Sequence, residues 1–277
     1  MTRPDYLSQP TGELHRDYAE AFDQTSFWGA RFAELLFDHL KLKRGLAVLD
    51  VGCATGVPLF ELAQMHGPSS RFVGIDIWTQ ALHRARRKRD IVDLSNVQLV
   101  ECNGAALPFD DTSFDLIISN LGLNNFERPE IVIAECFRVA RPGARIALTT
   151  NLYGHMREVY ALFEEILSDA GHLDVAERLA VQEQHRGTPA GFQTLLTQAG
   201  FEIRKSIESR FVLRFADGSA MLRHGLVKFF LDGWRPVIGP DLEEKFFVIA
   251  EERLNKIAGG SGLEFSIPML YLEGTRA

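Results

Sequence analysis

Three small residues and two acids form the part of this chain best suited to chemistry. Asp50 closes a short apolar run, Leu46 to Leu49, and Gly52, Ala54 and Gly56 then alternate with Val51, Cys53 and Thr55. Residues this small let backbone N–H groups come close to a ligand. A helix follows at once, with Pro58 suited to its first turn and Leu59, Leu62 and Ala63 on one face, which adds the positive end of a helix dipole. Asp76 lies about 20 residues beyond Gly56, the separation at which a carboxylate in a strand–helix–strand unit grips ribose hydroxyls. Two vicinal hydroxyls are donors, and an ionised carboxylate offers two acceptor oxygens. The dinucleotide fingerprint G-x-G-x-x-G, counted from Gly52, needs glycine where Val57 stands, so the turn does not match it.

A second set of residues could act on a substrate. Asn124 and Asn125 follow the apolar run Phe114 to Asn120, and Tyr153 and His155 follow the run Ile146 to Thr150. Both pairs fall where the carboxyl end of a strand would put them. His155 has the ordinary pKa of a general base, with a surface histidine as the plain alternative. No histidine, cysteine or acidic residues show metal-ligand spacing and no nucleophile–base pair stands out, so no metal is expected.

These residues need a scaffold, and the chain supplies alternating strands and helices. Apolar runs at Leu46–Asp50, Arg71–Ile77, Asn96–Cys102, Phe114–Asn120 and Ile146–Thr150 are separated by helical patterns, among them Trp78–Ala85 and Glu127–Ala140. That alternation indicates an α/β, doubly wound parallel sheet. Beyond it, Met156–Leu167 and Phe192–Ala199 read as helices and Gly171–Arg186 as a loop or short helix. FEIRKSI, from Phe201, reads as a sixth strand, and the alternation of Phe265, Ile267, Met269 and Tyr271 as the last. Pro268 sits awkwardly in a central strand, so a bulge or a shorter strand is expected there. Residues 215–262 form an insertion with two helices, one carrying Met221, Leu222, Leu226 and Phe229, the other Phe246, Ala250, Leu254 and Ile257. It would cover a substrate or simply pack on the sheet edge. Residues 1–12 read as a loose arm, and Leu14–Leu42 carry helical periodicity interrupted near Asp23–Ser26.

Composition narrows the class. A chain of 277 residues with a formal charge of −7 argues against general nucleic-acid affinity. The polar start MTRPDYLSQP is no signal peptide and no run is long enough to span a membrane, so a cytoplasmic protein is expected. The three cysteines, Cys53, Cys102 and Cys136, are scattered like reduced thiols. The run Arg84, Arg86, Arg87, Lys88, Arg89 reads as the solvated face of a helix.

The phrase DVGCATG resembles the first motif of the class I S-adenosylmethionine (SAM)-dependent methyltransferases, an acid followed by x-G-x-G-x-G, with Ala54 in the middle glycine's place. The resemblance continues through Asp76, through Asn103-Gly104-Ala105 and the Leu107-Pro108-Phe109 turn, and through Arg141-Pro142-Gly143. It implies a seven-stranded, mostly parallel sheet of the Rossmann-like kind, its last strand antiparallel between the fifth and sixth. The implied domains are an N-terminal arm with lid helices at 1–45, a SAM-binding core at 46–214, the helical insertion at 215–262 and the last strand at 263–277. The implied cofactor is SAM, leaving as S-adenosylhomocysteine. Asp50, Gly52, Cys53, Ala54 and Gly56 would cradle it, and Asp76 and Ile77 would hold its ribose side. Asn103, Gly104 and Ala105 would meet the adenine, and Asn120 and Leu121 would border it from the fourth strand. Tyr18, Phe27 and Trp28, with Asn124 and Asn125, would close the site over the acceptor. Within the superfamily the chain is most similar to quinone-ring methyltransferases and to the malonyl-carrier-protein methyltransferase of biotin synthesis. The acceptor is thus a small molecule or an acyl group on a carrier. Arg204, Lys205, Arg210, Arg214, Arg223, Lys228 and Arg235 would receive an acidic carrier, or are scattered solvated charge. A nicotinamide-dependent oxidoreductase and a non-catalytic SAM-binding protein are the alternatives.

Overall fold

A computed structural model of the chain describes residues 3–8, 19 and 28–277. The chain divides into two compact units. The larger comprises residues 14–151, 187–209 and 269–277, the smaller residues 1–13, 152–186 and 210–268.

The larger unit is built on the sheet. In chain order come α1 (Trp28–His39), β1 (Ala47–Val51), α2 (Leu59–His66), β2 (Arg71–Asp76), α3 (Thr79–Ile91), β3 (Val97–Glu101), β4 (Phe114–Asn120), α4 (Pro129–Val139) and β5 (Ala140–Asn151). α5 (Arg157–Asp169) and α6 (Leu173–Gln184) follow in the smaller unit, α7 (Pro189–Gln198) in the larger. β6 (Phe201–Phe215) and β7 (Leu263–Arg276) complete the strands. The order across the seven-stranded sheet is β3-β2-β1-β4-β5-β7-β6. β1 to β5 pair in parallel, and β7 runs antiparallel to β5, with Thr149 opposite Tyr271. β1 is buried at every position, as a central strand covered on both faces must be. Gly74 in β2 lets α2 and the turn after β1 press against the sheet: a Cβ there would meet Leu59 at 2.5 Å and the Cys53 sulfur at 2.8 Å.

Two expectations for the sheet change. β5 starts at Ala140, ahead of the expected turn at Arg141–Gly143, and a register shift opposite Phe114–Leu116 absorbs the irregularity. β7 passes through Pro268 without a break, and its pairing with β5 begins only at Met269, so the missing N–H costs that ladder nothing.

In the smaller unit, α5 and α6 are joined by α8 (Gly218–Arg223), α9 (Gly225–Ile238) and α10 (Pro240–Ala258). Its core is aromatic: Phe163 lies edge-on to Trp234 at 5.1 Å and to Phe246 at 5.0 Å. Segment 171–186, expected as a loop or short helix, carries the three-turn helix α6, with Val175 and Leu179 buried. The insertion holds three helices rather than two, since Asp217 and His224 each cap a helix start with a side-chain acceptor. Ile257, expected on the inner face, is 62% exposed. Of the expected loose arm, the described residues 3–8 are held in place. Tyr6 and Leu7 are buried, Arg3 and Arg235 both pair with Glu243, and Arg235 donates to the Leu7 carbonyl. The guanidinium of Arg223 lies 4.9 Å over the Tyr6 ring.

Candidate functional site

The turn after β1 is a frame of backbone hydrogen bonds. Gly52 and Cys53 both donate to the Ile75 carbonyl at 2.9 Å, and Gly56 donates to Cys53 at 2.8 Å. Gly52 has φ of 82° and Gly56 of 98°, conformations that favour glycine, and Ala54 is held at 44°. At Gly56 a Cβ would lie 2.2 Å from the Phe60 ring. Asp76 ties this turn to β2: one oxygen accepts from Ala54 N and the other from Trp78 N, both at 2.8 Å. The buried Ala19 packs with Trp78 and Ala81, with Ala54 against them.

The two acids differ in surroundings. Burial pushes the Asp76 carboxyl up from its usual range, against the pull of the N–H groups of Trp78, Ala54 and Ile77. Asp50 is wholly buried and neither of its oxygens has a hydrogen-bond partner. Its carboxyl is pushed well up, first by burial and then by the negative charge of Asp76. Burial raises the thiols of Cys53 and Cys102 as well, so neither is an activated nucleophile.

Beside the turn lies a cavity of about 450 Å³ at the carboxyl ends of β1, β2 and β3. Gly52, Asp76, Ile77, Asn103, Gly104, Ala105 and Asn125, all singled out in the sequence, line it. Asn103 also makes its own turn, its amide oxygen accepting from Ala105 N at 2.9 Å. The opposite wall was not foreseen: Phe126, Glu127 and Arg128 lead into α4, and Ile131 and Val132 complete it. The available signal was Asn124-Asn125 itself, since the chain must pass the same edge of the sheet before α4 begins.

Other expected residues sit elsewhere. Asn120 and Leu121 do not line the cavity. Asn120 donates to the Gly29 carbonyl in the first turn of α1 at 3.0 Å and accepts from the Thr149 hydroxyl at 2.7 Å, so it anchors the helix that Trp28 opens. Asn124 turns to β5, donating to Thr150 Oγ1 and to the Asn151 carbonyl. Tyr18 and Phe27 lie outside the described residues.

Tyr153 and His155 belong to the smaller unit. The Tyr153 hydroxyl accepts from Arg157 at 3.1 Å. His155 is fully buried, its ring edge-on to Phe230 at 4.9 Å. Burial, and then the charge of Arg186, hold its pKa well below the ordinary value. The ring is therefore enclosed within the smaller unit and held neutral.

Comparison with known proteins decides the family. A model described as a methyltransferase domain matches residues 42–191, more than half of the chain, a span holding the turn, Asp76 and the whole cavity lining. The chain is a class I SAM-dependent methyltransferase. Among relatives, this methyltransferase is 33% identical over 146 residues to the demethylmenaquinone methyltransferase of Lactococcus lactis, covering 50% of its own length and 56% of that enzyme. The match therefore spans little more than half of that relative. It is 30% identical to the demethylmenaquinone methyltransferase of Listeria monocytogenes, covering 58% of its own length and 72% of the relative. The fold is that of the YcgJ protein of Bacillus subtilis, with a TM-score of 0.61 at 15% identity, covering 89% of this chain and 98% of that one. The family sets aside the nicotinamide-dependent oxidoreductase.

Proposed function

We propose that this methyltransferase passes a methyl group from SAM to a small aromatic acceptor of the quinone class rather than to an acyl group on a carrier protein. The observation that carries this reading is the match to 72% of a demethylmenaquinone methyltransferase at 30% identity. Four of the seven basic residues that could receive an acidic carrier are paired within the chain, which supports it. Arg204 pairs with Glu202, Arg214 with Glu264, Arg223 with Asp5 and Glu251, and Arg235 with Glu243. Arginines neutralised within the chain offer little to an acidic carrier. We also place the enzyme in the cytoplasm: its three cysteines are free thiols, and no helix among the described residues is long and apolar enough to cross a membrane.

The cavity and the buried acid beside it fit SAM. Asp50 is a fully buried carboxylate without an internal partner, and the cofactor carries positive charge on its ammonium and sulfonium groups. In our reading Asp50 supplies the counter-charge, the small residues Gly52, Ala54 and Gly56 let the polar end come close to the backbone of the turn, and Asp76 accepts from the ribose hydroxyls. Ile77, Asn103, Gly104 and Ala105, which line the cavity, would border the rest of the nucleoside. When bound, the cofactor supplies a methyl group already activated as an electrophile on sulfur. The protein then has to hold the acceptor in line and keep water out, and alignment of that kind is worth on the order of 7–11 kcal/mol. His155 is not assigned as base; its buried ring serves the packing of the smaller unit.

The test uses methyl-labelled SAM with demethylmenaquinone in detergent, and with a malonylated acyl carrier protein in parallel. Label appearing in the quinone fraction alone is the expected result. Label in the carrier, or in neither while SAM binds, overturns the acceptor assignment without touching the family.

A further inference from the structure

We propose that Lys88 is a positioning residue for the cofactor turn, an inference that rests on the reading that this turn binds SAM. Arg84, Arg86, Arg87, Lys88 and Arg89 lie on α3, and Lys88 turns toward the cofactor turn. The Lys88 ammonium donates to the Thr55 carbonyl at 2.9 Å and lies 5.7 Å from the centre of the Phe60 ring. Thr55 is buried, so its carbonyl, cut off from water, needs a donor within the protein. Phe60, in the first turn of α2, occupies the space above Gly56, which is open only because residue 56 has no side chain. A single ammonium thus braces both the carbonyl in the middle of the turn and the ring that packs against its last glycine.

This brace completes the frame. On one side Ile75 and Asp76 of β2 accept from the N–H groups of Gly52, Cys53 and Ala54. Those bonds fix the first half of the turn and Gly56 is held by its own bond to Cys53, but none of them reaches the Thr55 carbonyl. Lys88 reaches that end from α3, and it does so with a charge-assisted bond, stronger than a neutral one. With the brace in place the turn is already in its binding conformation, and the cofactor need not order it. Without the brace that ordering falls on the binding step, so affinity drops while the folded protein survives.

The experiment compares Lys88→Met and Lys88→Arg with the wild type. Arg86→Met, from the same helix, serves as the control. SAM and S-adenosylhomocysteine affinities are measured by calorimetry, and backbone amide exchange of residues 52–56 is measured without any ligand. Lys88→Met is expected to weaken both ligands about tenfold, the scale of one lost charge-assisted hydrogen bond. Exchange in the turn should quicken while that of β1 and β2 holds. Lys88→Arg, which keeps a cationic donor, should restore most of the affinity, and Arg86→Met should change neither readout. Ligand affinities within twofold of the wild type in Lys88→Met, or an unaltered exchange pattern in the turn, would overturn the proposal. So would an equal loss in Lys88→Arg. A wild type that failed to bind SAM would instead overturn the cofactor reading, and the exchange data would still judge the brace.

Discussion

Replacing Asp50 by asparagine should move stability and affinity in opposite directions. Asp50 is buried with both oxygens unpartnered, and its carboxyl is raised well above the value of 3.8 it has in an open chain. A carboxyl raised in the folded state binds more protons there than in the unfolded state. Stability is therefore lost as pH climbs from the open-chain value toward the raised folded value, and is regained on acidification. At pH 7 the penalty cannot exceed the cost of taking up a proton, about 1.36 × (7 − 3.8), or about 4 kcal/mol. An amide of the same shape removes the charge but stays unsatisfied, which costs roughly 1–3 kcal/mol. The ligand-free Asp50→Asn protein should thus gain up to about 3 kcal/mol, seen as a rise in Tm. The gain should shrink toward pH 5, where the ceiling on the wild type's penalty is about 1.6 kcal/mol. With SAM the sign reverses. Losing a hydrogen bond to a charged partner costs roughly 1.5–3 kcal/mol, or about 10- to 150-fold in Kd. Melting curves at pH 5 and 7 without ligand, together with titration calorimetry, read both halves. A variant that binds SAM as tightly as the wild type, or melts earlier without it, would refute the assignment of Asp50 as the counter-charge.

Three further outcomes follow from the same geometry. Gly56→Ala places a methyl 2.2 Å from the Phe60 ring at a φ of 98°, so it should abolish measurable SAM binding in calorimetry and lower the Tm. Asp76→Ala removes the acceptor for Ala54 N and Trp78 N as well as for the ribose, and should weaken SAM by at least the roughly 1.5–3 kcal/mol of one charged hydrogen bond. His155 is held neutral when folded, so the open chain takes up the proton first and stability is lost as pH falls below about 6.5. His155→Gln should flatten that acid limb in pH-dependent melts and keep its methyl-transfer activity; loss of activity with an unchanged melt would restore a catalytic role.

Much of this was legible because it is local. The run Leu46–Leu49, the spacing of Gly52, Ala54 and Gly56, and the distance to Asp76 all lie within one strand–helix–strand unit, whose hand and length leave little freedom. The Asn103 turn was readable for the same reason, since its bond from Ala105 N is made two residues away. The far wall of the cavity was harder. Phe126 to Val132 become neighbours of Asp76 only because β4 enters the sheet beside β1, a pairing that no stretch of either strand announces. His155 misled for a related reason. Its place after β5 resembles the mouth of an active site, yet what covers it is Phe230, on a helix far along the chain.

Charge shows the same limit most sharply. Arg178–Asp174 and Arg138–Glu135 are four and three residues apart, so helical spacing alone would have paired them. Such pairs are exposed or half-exposed and contribute little. Arg235 and Glu243 are different: they face each other across the turn from α9 to α10, are nearly buried, and share their pairing with Arg3 from the other end of the chain. In the sequence Arg235 counts as one more positive charge on a basic stretch. In the fold it is committed, because leaving a buried carboxylate such as Glu243 without a partner costs several kcal/mol. Lys88 follows the same logic on α3: one member of a run that reads as solvated has a buried carbonyl to satisfy, and its burial, not its spacing, assigns it that task. A list of charges therefore overstates what a protein can offer to a partner, by the number that its own interior has already claimed.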